Sequence, residues 1–230
     1  MAFMRFFWAL WILLWLGCGP SAVDSPALSQ ERVDYRLYPY AQAVVEFSPG
    51  PESGFGQELF PEIVLGPPQG FGPAQGSVDV LSLGVAGEII LDFFPREMID
   101  GEGADFAVFE NVFWPGNDSS NPWKELAEVS VSDDGENWHT FTCVQENSTP
   151  GEWPGCAGWR PTHSYTPQTD SLDPDMSGGD LFDLADLGLT HARYVKIRDL
   201  AQDGAAPSAG FDLDAVGLIS FAEIVKEETL

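Results

Sequence analysis

The sequence predicts an all-β fold, an antiparallel jelly-roll β-sandwich with long loops and little helix. Short apolar runs recur along the chain between turn residues, and 24 glycines and 18 prolines leave little room for long helices. One stretch alternates apolar and polar residues, which is the period of a strand with one buried face. The chain is 44% hydrophobic, with 8 Trp and 16 Phe, so it can bury a sizeable core despite a formal charge of −26.

Residues 1–17 predict a secretory signal peptide of the lipoprotein type. Arg5 supplies a positive charge ahead of the apolar run Phe6–Leu16, which is shorter than the roughly 20 residues of a transmembrane helix. The letters LWLGC that end at Cys18 resemble a bacterial lipobox, and this resemblance implies that Cys18 is acylated. Because Gly19 follows, the resemblance also implies the outer membrane or cell surface. An ordinary signal peptide with an incidental cysteine is the alternative.

The two remaining cysteines, Cys143 and Cys156, are expected to form a disulfide. They lie 13 positions apart in a chain that the signal peptide sends to an oxidising compartment. Closing such a loop stabilises a fold by about 3 kcal/mol. Two free thiols are the alternative. A zinc site is disfavoured, because the spacing is not CxxC and no histidine pair completes a tetrahedral set.

The acidic composition narrows the range of partners. With 36 Asp and Glu against 10 Lys and Arg, the protein repels polyphosphates, so nucleic-acid binding is disfavoured. The same charge attracts divalent cations and favours a soluble monomer. The expected partners are a membrane, through the lipid anchor, and a glycan or other surface ligand.

The mature chain is predicted to contain one domain between two polar ends. A flexible tether over 18–32 leads into a single β-sandwich domain over 33–222, and a polar tail follows over 223–230. Residues 50–76 are crowded with Gly and Pro and predict mostly irregular loop. A second long loop, which holds the expected disulfide, is predicted over 144–179.

Each apolar run between turn residues predicts one strand, because β-branched and aromatic residues suit a half-buried pleated surface. The runs are Ala43–Phe47, Val78–Leu83, Glu88–Phe93, Asp105–Phe109, Ala192–Ile197 and Asp212–Ser220. The segment Asp183–Leu189 predicts a helical turn.

The clearest local prediction is a β-hairpin over Glu128–Cys143. Val129 and Val131 alternate with Ser130 and Ser132, which predicts a strand with one wet face. The letters DDGE that follow predict a turn, since the glycine is free to adopt positive φ. The returning strand then alternates as far as the cysteine that ends the hairpin.

Two segments resemble the discoidin, or coagulation-factor type C, family of galactose-binding-like jelly rolls. They are Val129–Phe141 (VSVSDDGENWHTF) and Ala192–Arg198 (ARYVKIR), and Glu88–Phe93 (EIILDF) is similar to an earlier strand of that family. The resemblance covers roughly residues 86–220 and implies a galactose-binding-like β-sandwich. The ligand loops of that family vary, so the resemblance assigns no binding residue.

A fuller pattern is similar to a family of uncharacterised bacterial cell-surface proteins. The matching segments are 103–111 (GADFAVFEN), 178–186 (GGDLFDLAD) and 210–216 (GFDLDAV). This resemblance implies an exported β-sandwich and no established activity.

Acidic residues in loops are the candidate metal ligands. Calcium takes six to eight oxygen ligands from carboxylates, amides and backbone carbonyls, and galactose-binding-like folds imply a structural Ca²⁺. The alternative is that these carboxylates cap turns and face water. The candidates are Asp105, Glu110, Asp180, Asp183, Asp212 and Asp214.

Tryptophans in loop segments are the candidate ligand-binding residues. An exposed indole ring can stack on a sugar, whereas burial under the long loops is the alternative. The candidates are Trp114, Trp123, Trp153 and Trp159. No residue is assigned to catalysis, because paired carboxylates arise by chance in so acidic a chain and no GxSxG or P-loop pattern occurs.

The sequence therefore predicts an exported, lipid-anchored cell-surface β-sandwich with a non-catalytic binding role. A glycan is the favoured ligand, and Ca²⁺ is the favoured structural ion. A glycan-directed hydrolase using paired carboxylates and a purely structural envelope protein are the alternatives.

Overall fold

Antiparallel β-sheets make up the fold, and the predicted class, an all-β sandwich, is confirmed. The computed structural model describes residues 38–146, 149–167 and 171–224. The signal peptide, the tether and Cys18 lie outside the described residues, as does most of the polar tail. Export, acylation and the domain boundaries therefore stay predictions. In the part of the chain that is described, no helix has the length and apolar character needed to span a membrane.

The strands are short and belong to three sheets. In chain order they are β1 (Ala43–Ser48), β2 (Leu81–Ser82), β3 (Glu88–Asp92), β4 (Arg96–Ile99), β5 (Phe106–Glu110), β6 (Ala127–Ser132), β7 (His139–Thr140), β8 (Cys156–Ala157), β9 (Asp180–Phe182), β10 (His191–Ala192), β11 (Tyr194–Asp199), β12 (Asp212–Leu218) and β13 (Phe221–Glu223). The largest sheet has the order β1-β3-β11-β6-β7, with β8 also paired to β6. The second sheet has the order β2-β12-β5-β9, and the third has the order β10-β4-β13.

The core lies among side chains that alternate along the strands of the two larger sheets. Ile89 and Leu91 on β3 and Phe106 and Val108 on β5 are fully buried and belong to one hydrophobic cluster. The Phe106 ring stacks on Phe182 at 5.1 Å between ring centroids. Burying a side chain of this size stabilises a fold by roughly 1.5–3 kcal/mol, so the core is the main source of stability.

The predicted hairpin forms, but its serine face is not wet. Strand β6 pairs with β7 in the register Ser130↔Thr140. Ser130 and Ser132 are only 3% and 1% exposed. The hydroxyl of Ser130 hydrogen-bonds that of Thr140, and Ser132 accepts a bond from the Gly135 amide in the turn. These local partners satisfy the hydroxyls, and this allows the small side chains to lie buried.

The other strand predictions hold with changed lengths. The run predicted over Val78–Leu83 is a strand only at β2, and Ala192–Ile197 is divided into β10 and β11 at Arg193. The Arg193 guanidinium donates two hydrogen bonds to the Asp92 carboxylate at 2.7 and 2.6 Å, which fixes this break beside β3. The predicted loop over 50–76 contains three short 3₁₀ turns, and Leu184–Leu187 forms the predicted helical turn.

Four strands, β4, β8, β9 and β13, were not predicted. Strand β4 pairs with β13 through segments rich in charged residues, and β9 follows two glycines, so neither shows an apolar run. Gly179 just before β9 is required by close packing, because a Cβ there would lie 2.6 Å from the Phe109 ring. The region 144–179 also contains a four-residue helix, α1 (Pro174–Ser177).

The predicted disulfide joins Cys143 to Cys156. Cys156 lies in β8 and pairs with Glu128 of β6, so the bridge fastens the loop after the hairpin to the largest sheet. The amide of Val144 donates to the carbonyl of Pro154, which closes the loop further.

Replacing both cysteines, Cys143→Ser with Cys156→Ser, should lower the free energy of unfolding by about 3 kcal/mol, because the unfolded chain gains the freedom of the opened loop. Chemical denaturation in guanidinium chloride measures this loss. Wild-type protein unfolded in reducing buffer is the control and should show the same loss. An unchanged denaturation midpoint in the double variant would contradict the prediction.

Candidate functional site

An open cleft of about 620 Å³ lies among the loops that surround β9. Five segments of the chain line it, and each contributes at least one aromatic, charged or proline side chain. They include Pro73, Trp114, Glu152, the stretch from Trp159 to His163, and the first residues of α1 with the two glycines that follow it. Ligand sites in folded proteins are concave and combine apolar walls with a few polar groups, as this cleft does.

Two half-buried indole rings line the cleft, those of Trp114 and Trp159. The indole N–H of Trp159 donates to the carbonyl of Cys156 at 3.0 Å, so the disulfide-bonded strand fixes this ring. The Trp153 ring packs edge-on against Trp159, with 6.3 Å between centroids. The guanidinium of Arg160 also lies over the Trp159 ring, with 5.3 Å between its central carbon and the ring centroid. These contacts fix the orientation of the ring without a ligand.

Polar side chains complete the wall of the cleft. Glu152, Arg160, His163 and Asp175 all line it. His163 Nδ1 lies 3.2 Å from the carbonyl oxygen of Met176, which orients its imidazole. The cleft therefore presents both hydrogen-bond donors and acceptors next to aromatic surface.

The structure brings three of the four candidate tryptophans together. Trp114 and Trp159 line the cleft, and Trp153 contacts Trp159 without lining it. Trp123 lies apart, 58% exposed, and stacks on Phe113 with 6.1 Å between centroids.

The six candidate metal ligands separate into three places. Asp105 and Asp183 meet Asp100, and the ligand oxygens of these three all lie within 4.8 Å of one another. Asp105 is buried, and its two carboxylate oxygens accept backbone N–H bonds from Gly101 and Leu184. This group could hold a metal ion, but its most buried member, Asp105, already accepts hydrogen bonds from the loops on both sides.

A second group of this kind joins Glu97, Asp133 and His191. The sequence analysis missed it, because its members come from three separate segments and no local spacing connects them. His191 Nε2 lies 3.5 Å from a carboxylate oxygen of Asp133, and both side chains are about half exposed or more.

The second of the three places where candidate ligands lie is separate from both groups above. It holds Glu110, Asp180 and Asp212, which are 1%, 2% and 5% exposed. Burial raises the pKa of Glu110 well above its ordinary value, and the nearby carboxylates of Asp212, Glu125 and Asp180 raise it further. Burial likewise raises the pKa of Asp180 to about 7 and that of Asp212 to about 6. Glu125, which the sequence analysis missed, has its pKa raised to about 8 by burial and by Asp212 and Asp199.

Asp214 occupies the third place alone. The amide of Gln69 donates to both of its carboxylate oxygens, at 3.1 and 3.0 Å. Burial raises its pKa to about 8, and the negative charge of Asp79 adds to the effect. The contact between Asp214 and Gln69 is structural, because it holds the loop around Gln69 against β12.

Comparison with solved structures finds partial and distant likenesses. The C-terminal domain of a chitobiase from Bacteroides fragilis is 15% identical, with a TM-score of 0.31, over 59% of this chain and 64% of that one. A protein described as a glycoside hydrolase is 9% identical, with a TM-score of 0.31, over 64% of this chain and 23% of its own length. This chain thus spans less than two thirds of either. No family model and no curated protein matches the chain.

In buffer free of divalent cations, the melting temperature should fall by at least about 4 °C between pH 5 and pH 9. A carboxyl whose pKa is raised in the folded protein binds its proton more tightly there than in the unfolded chain. Ionising Glu125, Asp180, Asp212 and Asp214, with pKa values of about 8, 7, 6 and 8, therefore removes stability as the pH rises.

Differential scanning fluorimetry in EDTA across this range measures the effect. The Asp214→Asn variant is a control that keeps an acceptor for the Gln69 amide but loses one ionisation, so its melting temperature should depend less on pH. A melting temperature that stays constant or rises above pH 6 would contradict the raised pKa values of these four carboxyl groups.

Proposed function

We propose that this protein is an exported, lipid-anchored cell-surface β-sandwich with a non-catalytic role in binding, and that its cleft binds a glycan. One observation carries the proposal: two half-buried indole rings, of Trp114 and Trp159, line a cleft of about 620 Å³ that also presents carboxylates, a guanidinium and an imidazole. A sugar ring offers apolar faces for stacking on indole and hydroxyls for bonding to such polar groups.

The charge of the molecule favours a neutral glycan over an anionic one. The chain has a formal charge of −26, and Glu152 and Asp175 line the cleft in exposed positions. Such a field repels uronic-acid and sulfated sugars. Arg160, the cationic residue of the cleft wall, lies over Trp159 and supports its ring.

Exposure of the cleft carboxylates favours binding over hydrolysis. The general acid of a typical glycosidase is a carboxyl whose raised pKa keeps it protonated, and burial is the usual cause. Glu152 and Asp175 are exposed, whereas the strongly buried carboxyls of this protein are not among the residues that line the cleft.

The Trp159→Ala variant should bind neutral oligosaccharides at least about tenfold more weakly than wild type, because a central aromatic contact contributes more than about 1.4 kcal/mol. An array of neutral and anionic glycans identifies a ligand, and isothermal titration calorimetry measures its affinity.

The Trp123→Ala variant is the matched control, since it removes an exposed indole outside the cleft and should bind like wild type. Both variants must show the wild-type circular dichroism spectrum. The proposal fails if no glycan binds, or if Trp123→Ala weakens binding and Trp159→Ala does not.

The Cys18→Ser variant should move the protein from the membrane fraction to the soluble fraction, because several acyl chains on one cysteine provide firm attachment. Metabolic labelling with a clickable fatty acid and cell fractionation test this. Wild type should carry the label and Cys18→Ser should not. A wild-type protein without label would contradict the lipid anchor.

Calcium is the ion that we propose for the acidic loops. Oxygen-rich sites suit Ca²⁺, which accepts carboxylates and backbone carbonyls in flexible geometry. The strongly acidic surface also raises the local concentration of divalent cations.

A further inference from the structure

A histidine and two carboxylates from three separate segments meet beside an edge of the third sheet. Strand β10 pairs with β4 in the register His191↔Ile99. Glu97 precedes Ile99 by two residues, so it lies on the same face of this sheet as His191, at the diagonal position. Asp133 follows β6 directly, in the turn of the hairpin. One imidazole nitrogen of His191 and one carboxylate oxygen from each acid all lie within 4.8 Å of one another.

The imidazole of His191 has a neighbour at each of its two nitrogen atoms. Nδ1 lies 3.1 Å from the hydroxyl oxygen of Thr190, and Nε2 lies 3.5 Å from a carboxylate oxygen of Asp133. Histidines that bind metals typically donate a hydrogen bond from one ring nitrogen, which leaves the lone pair of the other nitrogen for the ion. Two ligands of a tetrahedral zinc ion, each roughly 2.0–2.1 Å from the metal, lie about 3.3 Å apart. The separation between Nε2 and Asp133 is close to that value.

Basic side chains do not compensate the two carboxylates. Among the residues that the structure describes, no Lys or Arg side chain forms an ion pair within 4.0 Å with Glu97 or Asp133. Arg193 follows β10, but its guanidinium donates its hydrogen bonds to Asp92. Like charges this close repel each other unless a cation or a proton compensates them. A protonated His191 would offset one of the two negative charges, whereas a divalent cation offsets both.

A hollow of about 300 Å³ lies beside the group. Asp133 and His191 line it, together with Asn137 and His139 of the hairpin. The side chains of Asp133 and His191 are 62% and 48% exposed, so an ion can enter from solvent. Three protein ligands leave a zinc ion with a fourth position, which in such sites is taken by water or by an added ligand. The hollow provides space for that fourth ligand.

We propose that Glu97, Asp133 and His191 bind a zinc ion. Zn²⁺ accepts imidazole and carboxylate ligands together, whereas Ca²⁺ takes oxygen ligands. The ion would join β4 and β10 of the third sheet to the turn after β6 of the largest sheet. This site goes beyond the proposed glycan and calcium binding and depends on neither, because its three residues do not line the cleft and are not among the residues considered for calcium.

Isothermal titration calorimetry with ZnCl₂ tests the site without any sugar. The protein is the mature chain with its disulfide intact and without a histidine tag. Every sample carries Cys18→Ser, so that no free thiol competes for zinc. Bound metal is first removed with EDTA, and dialysis then removes the EDTA.

This parent chain should bind one Zn²⁺ ion, and ZnCl₂ should raise its melting temperature, because the ion binds the folded state. An excess of CaCl₂ should not displace the ion. The His191→Gln variant should lose at least about tenfold in Zn²⁺ affinity, since the site loses its only nitrogen ligand.

The His163→Gln variant is the matched control, because it makes the same change at a histidine outside the group. It should keep the Zn²⁺ affinity of the parent chain. If His191→Gln does not fold, Asp133→Asn replaces it and should show the same loss of affinity. The proposal is overturned if the parent chain binds no Zn²⁺, if CaCl₂ displaces the ion, if the folded site variant keeps the parent affinity, or if His163→Gln loses as much affinity as the site variant.

Discussion

The carboxylate of Asp180 connects the β-sheet to the loop that forms the cleft. The Oδ2 atom of Asp180 accepts hydrogen bonds from the amides of Gly158 and Trp159. The backbone of Asp180 belongs to β9, which pairs with β5. The same loop is also held by the indole bond of Trp159 to Cys156, and further along by the hydroxyl of Thr162, which donates to the carbonyl of Glu110 in β5. The cleft wall is thus fastened to β9 through a buried acid and to β5 through a buried hydroxyl.

This arrangement concentrates carboxyl groups inside the fold. Asp180 lies near Glu110, and Asp212 and Glu125 act on the same carboxylate. A buried carboxylate without compensation shifts toward its protonated form, which is why burial raises the pKa of all four groups.

Local patterns predicted the hairpin, most strands and the disulfide, because these depend on alternation and on loop closure within a short segment. The pairing of β4 with β13 was not predictable in this way, since charged side chains such as Arg96 and Glu223 form that contact far apart in sequence. The same limit applies to the site. Residue type identified Trp159 and Glu110 as candidates, but only the folded structure places Asp105 with Asp100 and Asp183 and brings Glu125 near Glu110.

The most direct test is a crystal structure of the protein with the neutral oligosaccharide that the glycan array identifies. The predicted result is a sugar ring stacked on the indole of Trp159 in the cleft. A sugar bound elsewhere on the protein, with the cleft empty, would contradict a glycan site at this wall.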